Sequence, residues 1–432
     1  MRITSSYGVE ILRLHKPLRR TMEICREAVR YLMPVIDGEW ESLSRISEPK
    51  RRFNAAEKLI HTTRRNQAVY RFDEAFPKMP SYLRRAILQH VLGAVSSART
   101  RAEQTEAAGG SREEACHYMP VFYKDNMYKK QEDRVYLKLY NGKDWIWQEV
   151  HLKKTDLEYL RKNWSDVEAK SPVLVKRHRK YYLQFAFEQQ VRLTQKPAGE
   201  RKICAVDLGI NTDTVCSIMT ADGTVVARKF INFPTEKDHL WHVLGRVKRK
   251  QRENGPSGVR GLWAYAGRLN EEIARKTAGA ITAFACAHGA DVIVFEHLEM
   301  QGAGRGKNRQ KLHMWKKQEV QKLVGHQAHR AGMRVSRVNA WKTSALAYDG
   351  SGRVKRDPGN HALATFGNGK QYNCDLSASY NIGARYYIRE LLKPASETER
   401  SALEAKVPAV QRRTSCVYAD LLELRKAMAE AV

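Results

Sequence analysis

Three acidic residues, far apart in the chain, sit where carboxylates can do chemistry. Asp207 ends the apolar run in ICAVDLGIN, Glu296 ends a second run in DVIVFEHLEM, and Asp375 opens NCDLSASYNIGARY. A short apolar run closed by an acid reads as a buried strand with a carboxylate at its end. The stretch from Asp375 reads as a helix. Two strand ends and a helix start can gather three carboxylates into an all-oxygen site, the donor set a hard divalent ion takes. Two such ions about 4 Å apart clamp the attacking and leaving oxygens of a phosphodiester. Each acid alone has a plainer reading. Asp-Leu-Gly after a strand also opens ATPase folds, Glu296 suits a turn cap, and Asp375 suits a helix N-cap. Together they point to a nuclease.

Charge supports that direction. Of 432 residues, 76 are Lys or Arg against 47 acids, a formal charge of +29, and the sequence pI is about 9.9. A polyanionic partner follows, because each neutralised phosphate releases counterions. The 42% hydrophobic content is that of a globular protein with room for two or three cores. The seven cysteines are scattered without a C-x-x-C pair, which fits reduced thiols in cytoplasm. The N-terminus is charged too early for a secretory signal. Ala278 to Phe295 is broken by His288 and Asp291, so no membrane partner is expected. GAGRGKN fails as a phosphate loop, because Asn308 stands where Ser or Thr is needed.

The elements that must hold the acids follow from periodicity. Residues 1–14 read as a strand. Apolar residues at three- and four-residue steps make the chain helical from about Leu18 to Ala108, with a linker at 106–114. Residues 115–195 alternate in strand fashion, with a hairpin at Asn141-Gly142 and a basic turn at Lys176–Lys180. The returning strands are expected to pair with 1–14, making the helical segment an insertion. From residue 200 the order is strand, two further strands, a long helical region over 236–289, a strand at 291–296, a helix at 312–331, a strand at 333–338, an irregular section and the helix from Asp375. That is the order of an RNase H-like domain. The last forty residues read as helical and peripheral.

The basic residues expected to touch nucleic acid are Lys176, Arg177, Arg179 and Lys180 in the turn. Arg246, Lys248, Arg249 and Lys250 lie in the long helical region, and Arg305, Lys307, Arg309 and Lys311 in the glycine-rich loop. Trp145, Trp147, Tyr181, Tyr182, Trp241, Trp263 and Trp315 are aromatics mixed with basic residues. They suit base stacking or, more simply, the core.

On AVDLGIN, DVIVFEHL, WKKQEVQKLVGHQAHRAGMRVSRVNAWKTS and NCDLSASYNIGARY, the chain resembles the TnpB family of transposon-encoded RNA-guided nucleases and the related compact type V CRISPR effectors. The similarity runs from about Pro120 to Arg389, and Asp375, Ala378, Asn381 and Ile382 match the family's Asp–x–x–Ala–x–x–Asn–Ile pattern. The resemblance implies an α+β multidomain protein. An oligonucleotide-binding, β-barrel-like wedge domain (1–14 and 115–195) would carry an inserted helical recognition lobe (15–114). A RuvC nuclease domain (200–392) and a C-terminal helical extension (393–432) would follow. It implies that Asp207, Glu296 and Asp375 are the catalytic, magnesium- or manganese-binding acids, with Asp207 bridging two ions and 297–318 as a lid. One departure stands out. The family's four-cysteine zinc ribbon should lie in 342–374, where only His361 and Cys374 could ligate, so structural zinc is not expected.

The expected activity is therefore RNA-guided DNA cleavage at a single RuvC site, with a guide RNA and target double-stranded DNA bearing a short adjacent motif as partners. Monomer and homodimer both stay open. The alternatives are a guide-dependent binder or transposition helper that hardly cuts, a guide-free structure-specific RuvC-type nuclease, and an Asp-Leu-Gly ATPase.

Overall fold

The computed structural model describes residues 1–104, 118–131, 134–209, 214–255, 258–297, 316–360, 362–412 and 414–430. The chain forms two compact units, Arg2–Gln190 and, with Met1, Val191–Val432.

In the first unit, strand β1 (Arg2–Ile11) leads into helices α1 (His15–Gly38), α2 (Trp40–Ser44), α3 (Pro49–Ile60), α4 (Phe72–Ala75) and α5 (Ser81–Gln104). Strands β2 (Tyr128–Gln131), β3 (Arg134–Tyr140) and β4 (Trp145–Val150), helix α6 (Lys154–Trp164), and strands β5 (Val173–Arg177) and β6 (Lys180–Gln190) complete it. β1 pairs antiparallel with β6 along its length, from Arg2↔Gln190 to Ile11↔Tyr181. The helices thus leave the sheets after β1, and the chain returns to them at β2. The sheets run β1-β6-β5 and β2-β3-β4. Leu18, Met22, Cys25, Val29, Leu32 and Ile36 line one side of α1 and share a core with Leu137, Leu139, Leu183 and Phe185 of the strands. The β3–β4 hairpin turns where Asn141-Gly142 predicts. Gly142 takes φ +110°, and Asn141 Oδ1 accepts from the amides of Lys143 and Asp144, each at 2.8 Å.

The second unit is built on β7 (Ile203–Asp207), β8 (Thr214–Met219), β9 (Val225–Ile231), β10 (Val292–His297) and β11 (Arg334–Asn339). The sheet order is β11-β10-β7-β8-β9. β7, β8 and β9 form an antiparallel meander, while β7, β10 and β11 run parallel. Between β9 and β10 lie α7 (Pro234–Asn254) and α8 (Arg260–Ala287), and α9 (Lys317–Arg330) precedes β11. The long helical region expected over 236–289 consists of these two helices. Gly255 and Gly258 take φ +65° and +79° between them, in the left-handed region only glycine enters freely. Short strands β12 (Lys355–Arg356), β13 (Leu363–Thr365) and β14 (Gln371–Asn373) form a small sheet before α10 (Cys374–Leu392).

Parity along the strands sorts the core. Ile203, Ala205, Val292 and Val294 pack with Leu376, Tyr380, Ile382 and Tyr387 of α10. Cys204, Val206, Ile293 and Phe295 pack on the opposite face, with Ala278 and Ile281 of α8 and Val324 and Ala328 of α9. α10 approaches closely. A Cβ added at Gly383 would collide with Met219 Sδ and lie 3.3 Å from the Ala205 Cβ. Beyond α10, helices α11 (Glu397–Lys406) and α12 (Tyr418–Ala429) close the unit. The expectation of a peripheral C-terminus is overturned here. Val410, Cys416, Leu421 and Leu424 are fully buried in the core that α10 shares, because their apolar side chains complete the outer side of that helix. Among the described residues, no helix is long and apolar enough to cross a membrane.

Candidate metal centre at the strand ends

Register and parity together bring the acids to one place. β7 and β10 are neighbouring parallel strands with Phe295 opposite Val206, so Asp207 and Glu296 end adjacent strands side by side, at the strand spacing of about 4.8 Å. Residues 203, 205 and 207 share one face of β7, and 292, 294 and 296 share one face of β10. That is the face α10 covers, and Asp375 lies in the first turn of α10. Asp375 is not the N-cap that its context suggests. Asn373 caps the helix, its Oδ1 accepting from the Leu376 amide at 2.9 Å. The Asp375 carboxylate is thereby spared for another role.

Burial makes the cluster costly for charge. Asp207 is 7% and Glu296 9% exposed, and Asp375 is half-buried. Burial, then the charges of Glu296 and Asp375, pushes the Asp207 carboxyl well above the usual range, against the pull of Lys317 and Arg356. Burial also raises Asp375, with Arg356 opposing. Lys317, at the start of α9, is lowered to about 8 by burial, although Glu296 and Asp207 favour its charge. Two cations thus help neutralise carboxylates that would otherwise repel in a low-dielectric setting.

Glu296 is oriented as well as buried. Its carboxylate accepts from the Thr343 hydroxyl, and its backbone carbonyl accepts from Gln321 Nε2 at 2.9 Å. Thr343 is held in turn by Asn381 of α10. The Asn381 Nδ2 donates to the carbonyls of Thr343 and Leu346, both at 3.0 Å, and its Oδ1 accepts from the Tyr418 amide at 3.0 Å. The helix that carries Asp375 therefore fixes the turn that grips Glu296.

The donor set suits a hard divalent ion: three carboxylates, with no imidazole or thiolate among them. Burial raises the nearby Cys374 thiol and keeps it neutral, which disfavours it as a ligand. Lys317 and Arg356 supply the positive charge that a cation would bring. Among the described residues, no group of three or more His, Cys, Asp or Glu side chains is gathered tightly enough to hold a metal as placed.

The basic residues named from sequence are dispersed. Lys176, Arg177, Arg179 and Lys180 are exposed at the β5–β6 turn of the first unit. There Lys180 pairs with Glu10 at 2.6 Å, and Arg177 donates to Gln184 at 2.9 Å. Arg246, Lys248, Arg249 and Lys250 line the exposed side of α7, whose Val243, Leu244 and Val247 pack inward. Arg305, Lys307, Arg309 and Lys311, most of the 297–318 lid, the 106–114 linker, His361 and Trp315 lie outside the described residues. Trp145 and Tyr181 are buried, whereas Trp147 and Trp241 are exposed. Tyr182 and Trp263 are half-buried. Lys317, Gln321, Thr343 and Arg356 are site residues that sequence reasoning missed. Only the Thr343-Ser344 pair carried a hint, as the start of the missing ribbon.

A family model described as the Aq_aa04 family matches residues 5–141. No curated protein matches the chain. Among solved structures, a Cas12f1–sgRNA–target DNA complex is similar over 95% of this chain and 81% of that one, at 12% identity and a TM-score of 0.50. The mini-RNA-guided endonuclease CRISPR-Cas_phi3 is similar over 88% and 92%, at 10% identity and 0.47. An AacC2c1–sgRNA binary complex is similar over 86% and 65%, at 11% and 0.44. In fold, this chain is similar to Cas12f1.

Proposed function

We propose that this chain is an RNA-guided DNA endonuclease of the compact type V or TnpB kind, cutting at a single RuvC site in its second unit. One observation carries the reading. Asp207 and Glu296 stand side by side at the C-terminal ends of adjacent parallel strands, on the sheet face covered by the helix whose first turn carries Asp375. The sheet order, an antiparallel meander joined to two parallel strands, supports an RNase H-like assignment. Asp207, Glu296 and Asp375 would hold magnesium or manganese, which when bound activates water and stabilises the leaving 3′ oxygen. Thr343 orients the Glu296 carboxylate. Lys317 and Arg356 balance the carboxylate charge.

Guide RNA and target DNA as partners are supported by the charge of +29 and by the fold shared with an effector solved on both. Purified protein is expected to carry RNA. With six to ten phosphate contacts, affinity should fall about 10³-fold or more between 50 and 200 mM salt. Nucleic-acid-free protein that binds no RNA from its own locus would count against guidance. A second reading, a guided binder that cuts little, is favoured by Lys317 and Arg356, whose charges already act on the Asp207 carboxylate where a metal would bring its own. Cleavage of a guided target with magnesium decides between the two.

We further propose that 342–374 folds without zinc. Tyr348 stacks its edge on Phe366 at 5.7 Å and meets Tyr372 at 5.0 Å. Lys370 Nζ donates to the Tyr348 hydroxyl at 2.7 Å. This aromatic cluster does the packing that four zinc ligands would otherwise do. Elemental analysis of chelator-washed protein should read well under one zinc per chain, whereas a full equivalent would overturn the reading.

A further inference from the structure

One exposed aromatic side chain stands at the rim of the carboxylate cluster. β11 ends beside β10, with Val338 opposite Glu296, and the chain then turns. Trp341, in that turn, is 51% exposed. Thr343, two residues on, grips Glu296. Two residues of chain span at most about 7 Å, so the indole's Cα lies within that distance of the residue touching the carboxylate.

A lone exposed aromatic is ordinary on protein surfaces. Trp341 differs in how it is held. Its amide donates to Asn339 Oδ1 at 2.8 Å, and the Asn339 carbonyl accepts from Arg385 of α10 at 2.7 Å. Lys342 takes φ +52°, a left-handed conformation that costs a non-glycine residue. It holds its ammonium 4.0 Å from the indole centroid. The backbone is pinned from both sides, and a cation sits over one face of the ring. A half-exposed indole on a held backbone, beside a positive charge, is a platform on which an unpaired base stacks, whatever its identity.

We propose that Trp341 is a base-stacking subsite for single-stranded nucleic acid. It holds the nucleotide next to the scissile phosphate while Lys342 meets the backbone. The assignment rests on the nuclease reading above and adds the feature that positions the strand. It predicts that the strand enters unpaired on the Trp341 side, without base preference.

The test uses the full-length, RNA-loaded chain with Trp341→Ala and Trp341→Phe. Cleavage of an unpaired strand is followed with magnesium, and oligothymidylate binding is measured in EDTA. Losing one stacked base is expected to raise KM and weaken EDTA binding by about 5- to 150-fold. kcat and the melting temperature should stay near wild type, with Trp341→Phe restoring most of the loss. Unchanged KM and binding in Trp341→Ala overturn the subsite while leaving the nuclease reading intact. An equal loss of kcat and melting temperature in both variants also overturns it, by showing a structural role. Weakened EDTA binding in a chain that cuts nothing with magnesium keeps the subsite and removes the nuclease reading.

Discussion

Replacing Asp207 with asparagine should abolish strand cleavage, leave guide-dependent DNA binding within a few-fold, and stabilise the metal-free protein at neutral pH. The first effect follows from the carboxylate's place in the cluster. Metal assistance is worth several kcal/mol of transition-state stabilisation, so a loss of about 10³-fold or more is expected. Binding persists because affinity resides in many dispersed phosphate contacts. The third effect follows from the direction of the pKa shift. Burial, Glu296 and Asp375 raise the Asp207 carboxyl in the folded state. The folded protein therefore binds that proton more tightly than the unfolded chain does. Its stability falls as pH rises from the ordinary aspartate range through the raised value. Asparagine removes the buried charge, so the variant should melt higher than wild type in EDTA at neutral pH. The gap should close on acidification. Thermal melts of both proteins from pH 4 to 8, beside one cleavage assay, check all three effects. A variant that still cuts, or that melts lower at neutral pH, would remove Asp207 from the site.

Asn381→Ala should be among the most damaging changes outside the acids. The side chain is fully buried and serves the carbonyls of Thr343 and Leu346 and the amide of Tyr418. Stranding a buried polar group costs about 1–3 kcal/mol, and three are stranded here. A loss of at least about 3 kcal/mol in urea unfolding is expected. Cleavage should fall further than stability alone explains, because the turn bearing Thr343 no longer holds Glu296. A loss under about 1 kcal/mol with normal cleavage would show that water or a shifted backbone replaces the amide.

The acids were legible because each ends or opens an element whose period is unmistakable. β7 and β10 are apolar on both faces, as strands buried within a sheet must be, so their closing carboxylates stood out. The side-by-side placement of Asp207 and Glu296 needed only the parallel pairing of those strands. The supporting shell was hidden for a physical reason. Thr343 meets Glu296 across 47 residues, and Asn381 reaches Thr343 across 38, distances over which no local period carries information. Lys317 and Arg356 look like any surface cation until the fold places them against buried carboxylates. Asn373, two residues before Asp375, caps α10, and nothing in the sequence separates these two capping residue types. The C-terminal helices were misjudged because α12 shows little segregation of polar and apolar faces, although Leu421 and Leu424 are fully buried.

Whether Asp207, Glu296 and Asp375 together hold a divalent metal decides the proposed function. The most direct test is a crystal of the RNA-loaded chain soaked in manganese, examined for anomalous density. Density is expected within about 2.2 Å of carboxylate oxygens from all three residues, with Lys317 and Arg356 displaced from them. Manganese bound elsewhere, or three acids that stay apart with those cations in place, would contradict it.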